Sequence, residues 1–474
     1  MPFRKRVPAR LIVLLLVAWG FLTVRIDAPF FGHHDANGVW ISAAARNWRL
    51  YGVDQLGLIP VVNRSAATPD TFSAYGNHPP LVVYAIAVSI GVLGETELAA
   101  RLIPALCTLV SSAAFYTLAR RLWDDKTAFW SAGFYALTPM LLYFGRMPNH
   151  EAPALMFIAL FGVVLQRWIK RPSRAGWIAL ATLIVCGVWT AWGAVLLMAC
   201  LTIAALFLVE RGRRFELSAL GIVALLALAL LMAVYEASSP GSVSRLLGAF
   251  SLRSSNVESF YQPAADFTLI QWLQRQLGDI VLFFTPPVLM LGGFGVWRIV
   301  RRGTPIQRAF TVALALAALA YVIILRNAVY EHDFYKIYFA PALAFGCAVV
   351  VRAALVRRSW QRRLVLISIL LSATISVAVV VALHQFAARA QIAPMIIVDT
   401  LRTVTTLDDQ ISTDYGNLPI GIEYYAFREI TGGVPEIEWL ANGDGVYLRC
   451  SAPSPLADDV QRIASDAVCA YLRR

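Results

Sequence analysis

Charge is what this sequence lacks. Of its 474 residues only 15% are Asp, Glu, Lys or Arg, while 58% are hydrophobic, and the mean hydropathy is +0.63. A soluble domain carries about 25% charged residues. The shortage excludes a water-soluble chain built on one buried core. Uncharged runs at 11–24, 102–119, 127–145, 152–166, 175–209, 217–235, 280–297, 309–325, 337–351 and 364–388 account for it. Since ~20 apolar residues span a bilayer as a helix and ~17 suffice, the chain reads as an α-helical polytopic membrane protein.

Other things are missing too. The basic start (Arg4, Lys5, Arg6, Arg10) and the apolar run behind it mimic a secretory signal, but Val24-Arg25-Ile26-Asp27 follows instead of a small-x-small cleavage site. The run is therefore expected to be an uncleaved first span with a cytoplasmic N-terminus. At ~1.5 Å per residue the 175–209 run is too long for one crossing of ~30 Å. Arg174 precedes it and Arg211, Arg213 and Arg214 follow. Two short helices, turning at Trp189 and Trp192, keep both basic clusters on one side, which gives about 11 transmembrane helices. The stretch 79–94 opens on Pro79-Pro80, closes on Gly94 and reads as a helix lying on or dipping into the outer face. If it crossed, Arg120, Arg121 and Lys126 would move outside.

This layout sorts the charges. The N-terminus and the inner loops (120–126, 167–174, 210–216, 298–308, 352–363) hold 23 Lys/Arg against 4 Asp/Glu, and the remainder holds 18 against 25. Cytoplasmic loops collect positive charge, so the C-terminus is expected outside. The net charge of +12 is thereby a matter of topology, and nucleic acid is not an expected partner. Three outer segments are long: 25–101, 236–279 and 385–474. Residues 1–388 read as the membrane domain and 389–474 as a small extracytoplasmic α/β cap. The cap has a β-like run at Val446-Tyr447-Leu448, a turn at Asn442-Gly443-Asp444-Gly445 and a helical tail over 458–473. Cys107, Cys186, Cys200 and Cys347 fall in apolar spans as packing residues. Cys450 and Cys469 fall outside, where an oxidising compartment allows them to pair.

Histidine is scarce as well. All six (33, 34, 78, 150, 332, 384) map to the outer face or an outer helix end, and Asp35, Glu151, Glu331 and Asp333 accompany them. Ionisable groups at membrane level are costly and usually functional, so an outer-face site is expected. After Asp35 comes an amphipathic helix with Trp40, Ala44, Trp48 and Tyr51 on one face and Ser42, Arg46 and Arg49 opposite. It would lie flat on the membrane, aromatics down. Asp35 could cap that helix, act as a base, or both. His78 sits before Pro79-Pro80 at the outer interface. In Gly145-Arg146-Met147-Pro148-Asn149-His150-Glu151, Asn149 suits an N-cap and Glu151 a first turn, yet Arg146, His150 and Glu151 exceed what a cap needs. Arg326 to Lys336 is the densest polar run between two spans.

In order and spacing these loops resemble the polytopic GT-C glycosyltransferases of the protein O-mannosyltransferase and lipid A aminoarabinose transferase group (glycosyltransferase family 39 and relatives). The resemblance runs over roughly 10–350: Asp35, then Ala43–Asn47 and Tyr51-Gly52, Pro79-Pro80-Leu81, Gly145–Glu151, and Glu331-His332-Asp333-Phe334-Tyr335 ahead of Pro341. It implies a GT-C-like membrane enzyme that passes a hexose or pentose from a polyprenyl-phosphate-linked donor to a hydroxyl of a lipid, glycan or protein at the outer face of a bacterial inner (plasma) membrane. It places the general base on Asp35 and a second catalytic acid on Glu151. Relatives often carry Asp-Glu where Asp35-Ala36 stands here, and some carry Glu-Lys where Asn77-His78 stands. Candidates for holding substrate or phosphate are His34, Arg46, His78, Arg146, His150, His332, Asp333 and Lys336, with Arg326 beside them. A carboxylate can take the acceptor's proton, and Arg matches phosphate through its fork. A divalent metal on His78 and Glu151 stays open, since no spacing is diagnostic.

The competing class is a polytopic transporter or lipid flippase. It calls for internal repeats and polar residues at mid-span; no repeat is seen, the spans are nearly free of charge, and the polar residues gather at one face instead. A non-catalytic scaffold whose outer domain binds a partner is the third reading. Single cysteines placed near 35, 150 and 332 should react with an impermeant thiol reagent added outside intact cells; labelling of the 150 loop from the cytoplasmic side would overturn the topology.

Overall fold

A computed structural model describes residues 8–254, 267–356, 359–416, 418–442, 445–450 and 460–473. The chain divides into two compact units. The first comprises 1–26, 76–85 and 101–381, and the second 27–75, 86–100 and 382–474.

Helices dominate. Among the described residues, six are long and apolar enough to cross a membrane: Glu97–Leu122, Glu151–Lys170, Arg211–Ser238, Pro305–Ile324, Asp333–Leu355 and Ser359–Val404. A seventh is gained if Leu269–Phe284 and Pro286–Arg302, which meet at 98°, count as one span. The bend has a local cause: Thr285 adopts φ 64° and Pro286 supplies no N–H to continue the ladder. Length and composition alone do not confirm the expected count of about eleven. It included the helices Ala9–Leu22, Arg174–Val188 and Trp192–Leu206, of 14, 15 and 15 residues. Such helices reach ~22 Å, short of a ~30 Å hydrocarbon core. The 127–145 run likewise breaks into Asp125–Ala136 and Pro139–Phe144, because the Thr138 hydroxyl caps the second helix at Leu141 N.

The 175–209 run does form two helices. They end and begin around Trp189–Ala191, where the N–H groups of Thr190 and Ala191 both return to the Gly187 carbonyl. The stretch after Pro79-Pro80 forms one short helix, Leu81–Leu93. In the first unit the tightest helix crossing pairs Pro286–Arg302 with Ala340–Leu355. A Cβ added to Gly295 would collide with the Gly346 carbonyl, and one added to Gly346 with the Gly292 carbonyl. Small residues let apolar helices approach backbone to backbone, which in lipid is the main source of their adhesion.

The second unit holds a five-stranded sheet: β1 (Ile411–Thr413), β2 (Ile430–Thr431), β3 (Val446–Arg449), β4 (Gln461–Ser465) and β5 (Ala470–Arg473), in the order β2-β1-β3-β5-β4. β1 pairs parallel with β2 and β3, while β5 pairs antiparallel with β3 and β4. The helix Ile392–Val404 packs Ile397, Val398 and Leu401 onto Ile411, Val446, Leu448 and Tyr471. The expected helical tail is instead the β4–β5 hairpin. The Asp466 carboxylate accepts from the N–H groups of Val468 (2.7 Å) and Cys469 (2.8 Å) and turns the chain there. Asp458, where that tail was expected to begin, lies outside the described residues, as do Gly443 and Asp444 of the expected turn. Cys450 and Cys469 are disulfide-bonded, joining the end of β3 to the start of β5.

This unit also takes in much of the first outer segment. Phe31 packs on the sheet's core, the Phe30 N–H donates to the Tyr425 hydroxyl (2.8 Å), and that hydroxyl donates to Glu97 (2.6 Å). Gly346→Leu should lower the melting temperature of the detergent-purified protein by the several degrees that overpacking costs, ~1–3 kcal/mol or more. Gly293→Ala, where nothing lies within 4 Å, should leave it in place.

Candidate active site

In the first unit the polar groups gather on the turn between the Arg174–Val188 and Trp192–Leu206 helices. Its Trp189 carbonyl accepts from Leu81 N–H (3.0 Å), its Thr190 carbonyl pairs with His150 Nδ1 (3.1 Å), and the Trp192 indole donates to the Asn77 carbonyl (2.9 Å). Tyr235 donates to the His78 carbonyl at 2.5 Å. The His78 and His150 rings stack, centroids 4.7 Å apart and 10° from parallel. A carbonyl only accepts, so a neutral His150 carries its proton on Nδ1 and presents Nε2 as an acceptor. Burial holds His78 well below the usual histidine range, helped by Arg253, His150 and His332. Burial also lowers His150 to about 4, partly opposed by the Thr190 carbonyl and reinforced by Arg253.

Glu151 follows His150 as the first residue of the Glu151–Lys170 helix, whose N-terminal dipole favours an anion. It is 2% exposed, and its Oε2 has no hydrogen-bond partner. Asn149 does not cap the helix: His150 occupies the cap position, and the Asn149 amide turns to the Met147 sulfur (3.5 Å). Arg146 donates to the Val24 carbonyl.

The cation in this cluster is one the sequence reading passed over. Arg253, in the last turn of the Ser242–Ser254 helix, donates to the Asn77 carbonyl at 3.5 Å, and its charge is felt by His78, His150 and Glu331. Asn327 steadies that helix by donating to the Leu252 carbonyl (2.8 Å). The available signal was a basic last turn on a short amphipathic helix inside an outer loop.

Lys336, expected at a phosphate, is fully buried. Its Nζ meets Asp279 (2.7 Å) and the Val329 carbonyl (2.6 Å). Asp279 was also overlooked; it shares a helix face with Trp272 and Gln276, which donate to the Arg326 and Val329 carbonyls (2.9 and 3.5 Å). That face, at spacings of four and three, holds the 326–336 loop. Asp333 is buried in the same loop, and the His332 ring packs on Phe334 and Tyr335.

The second unit holds Asp35, His34 and Arg46. Asp35 occupies the cap position of the Ala36–Leu56 helix, but its carboxylate makes no bond to the helix N–H groups. It accepts from Gly32 N–H (2.9 Å), closing a turn in which His34 takes a left-handed φ of 59°. The expected faces of this helix are mixed: Ser42 and Arg46 are buried along with Ala44, Arg49 is exposed as expected, and Trp40, Trp48 and Tyr51 are partly exposed. Arg46, 6% exposed, bonds the Tyr424 carbonyl (3.2 Å), the Arg64 carbonyl and Glu95 (3.4 Å), and its guanidinium lies 4.5 Å from both the Tyr424 and Phe427 ring centres. Buried polar groups need partners; the terminal nitrogens of Arg46 find theirs inside the unit, while its buried Nε has none.

A family model described as dolichyl-phosphate-mannose-protein mannosyltransferase matches residues 77–235. That stretch starts one residue before His78 and ends on Tyr235, the residue bonded to it. No curated protein matches the sequence. Among solved structures, ArnT from Cupriavidus metallidurans bound to undecaprenyl phosphate superposes with a TM-score of 0.68 at 13% identity, covering 98% of each chain. The oligosaccharyltransferase AglB from Archaeoglobus fulgidus, in complex with an inhibitory peptide and a dolichol-phosphate, gives 0.56 at 14%, over 89% of this chain and 64% of that one. The arabinofuranosyltransferase AftD from Mycobacteria gives 0.55 at 15%, over 91% and 32%. The chain has the GT-C fold.

A histidine buried in its neutral form binds fewer protons folded than unfolded. Its contribution is complete above its unfolded pKa of ~6.5 and is lost as pH falls toward 4. Melting temperature should therefore drop between pH 6.5 and 4. His150→Gln should flatten that slope, removing a pH-dependent contribution on the order of 3 kcal/mol; an unchanged slope would mean that His150 is protonated in the folded state.

Proposed function

We propose that this chain is a membrane glycosyltransferase that moves a sugar from a polyprenyl-phosphate donor to a hydroxyl acceptor at the outer face of the membrane. The observation that carries the reading is the overlap of the mannosyltransferase match, 77–235, with the buried cluster of His78, His150 and Glu151. Likeness in fold to proteins solved with undecaprenyl phosphate and dolichol-phosphate supports it.

In this reading Arg253 receives the donor phosphate, a role first looked for on Arg46, Arg146 and Lys336. The charge of Arg253 acts on both rings of the histidine stack, and the side chain is anchored on the Asn77 carbonyl next to His78. Neutral histidines suit the neighbourhood, because they can accept or donate without adding charge. The acceptor oxygen attacks the anomeric carbon, and the bond from that carbon to the phosphate oxygen breaks. Polyprenyl phosphate leaves with the electron pair, and Asp35 takes the acceptor's proton. The leaving group is already an anion stabilised by a cation, so the help required is at the acceptor. Asp35 is suited to this: it is buried, fixed by Gly32 and not used as a helix cap. Glu151 is the second acid.

Asp35→Asn should reduce transfer by ~10²–10⁴-fold while membrane insertion and melting temperature stay put. The readout is mass spectrometry of envelope lipids and glycans from cells with the native chain, the variant or neither. Near-normal product with the variant would remove Asp35 from the mechanism, and no product difference between native and null cells would remove the enzyme reading.

A further inference from the structure

Glu151 Oε2 and the Tyr338 hydroxyl are both buried and both lack a hydrogen-bond partner, in residues 2% and 1% exposed. Native structures leave few such groups, and each calls for an explanation. These two meet at one turn: Glu151 follows His150, whose Nδ1 pairs with the Thr190 carbonyl (3.1 Å), and Tyr338 lies against Gly193, three residues further on. The Tyr338 hydroxyl rests on Gly193, where any Cβ would collide with Tyr338 Cζ and Oη. Gly193 is the second residue of the 15-residue Trp192–Leu206 helix, whose cap residue, Ala191, offers no side-chain bond. The first N–H groups of a helix have no partner within it. An acceptor, a group that both donates and accepts, and backbone donors therefore meet in one buried place.

We propose that Glu151, Tyr338 and the first turn of the Trp192–Leu206 helix form a subsite that reads a hydroxyl of the transferred sugar, a step that rests on the glycosyltransferase reading above. A sugar hydroxyl donates one hydrogen bond and accepts others: it can donate to Glu151 and accept from Tyr338 or a helix N–H. An apolar ligand would leave all of these groups unpaired, and a phosphate would meet the Glu151 carboxylate. Tyr338 is thereby a specificity residue, and Gly193 is required because only glycine admits the phenol.

The full-length chain, purified in detergent, is titrated with bare undecaprenyl phosphate and with the same lipid carrying mannose, glucose or arabinofuranose. At least one sugar-bearing lipid should bind about tenfold tighter than the bare one, the worth of a hydrogen bond to a charged group. Tyr338→Phe should bring that ratio within about twofold of one without lowering the melting temperature, because the deleted hydroxyl has no partner to lose. Glu151→Gln should also reduce the ratio, whereas Arg253→Gln should weaken both lipids together and preserve it. A ratio kept by Tyr338→Phe would assign the hydroxyl to a resident water and overturn the subsite. A ratio of one in the native chain would overturn it while leaving the donor reading intact. Failure of the native chain to bind any of the four lipids would overturn both.

Discussion

The first unit depends on one turn of backbone. Between Trp189 and Gly193 the chain leaves one short helix and starts another, and the carbonyls and N–H groups freed by that break must be satisfied where water is scarce. Two of the carbonyls are satisfied by residues of the candidate site. Leu81 is held by the Trp189 carbonyl, His150 by the Thr190 carbonyl and Asn77 by the Trp192 indole, while Gly193 seats Tyr338. Substitutions there would act on the site through its supports.

A second constraint is how the cations near the cluster are held. Arg146 and Lys336 are occupied, one by a carbonyl and the other by Asp279 at 2.7 Å. A buried ion pair offsets its own desolvation only when both partners stay in place, so Lys336 is committed to holding the 326–336 loop. Arg253, on the Asn77 carbonyl, acts on His78 and His150 together with burial, and both lower the proton affinity of the rings.

The second unit shows a parallel economy. Arg46 sits between two aromatic rings with its guanidinium on two carbonyls and Glu95. It joins the Ala36–Leu56 helix to the 64 loop and to Tyr424, far away in sequence. The amphipathic pattern of that helix was legible, but the burial of Arg46 was not. Arginine on the polar face of a helix usually meets solvent. Here a later part of the chain arrives with carbonyls and ring faces that replace the solvent.

The sequence by itself determined the membrane class, the break in the 175–209 run and the presence of a cap containing the Val446–Leu448 strand. It also drew attention to His78, His150 and Glu151, because those outcomes follow from composition and from residues close together along the chain. Tertiary structure decided the rest. It decided where helices break, because their lengths depend on where Thr138, Thr285 and the prolines interrupt a run. The 458–473 segment became a hairpin because Asp466 captures the N–H groups beyond it and β3 supplies a neighbour. Arg253 and Tyr338 emerged only when helices distant in sequence brought them to the turn at Trp189–Gly193. Periodicity reports which face of an element is apolar, whereas hydrogen bonds and charge pairs between distant segments decide which polar group remains available for a ligand.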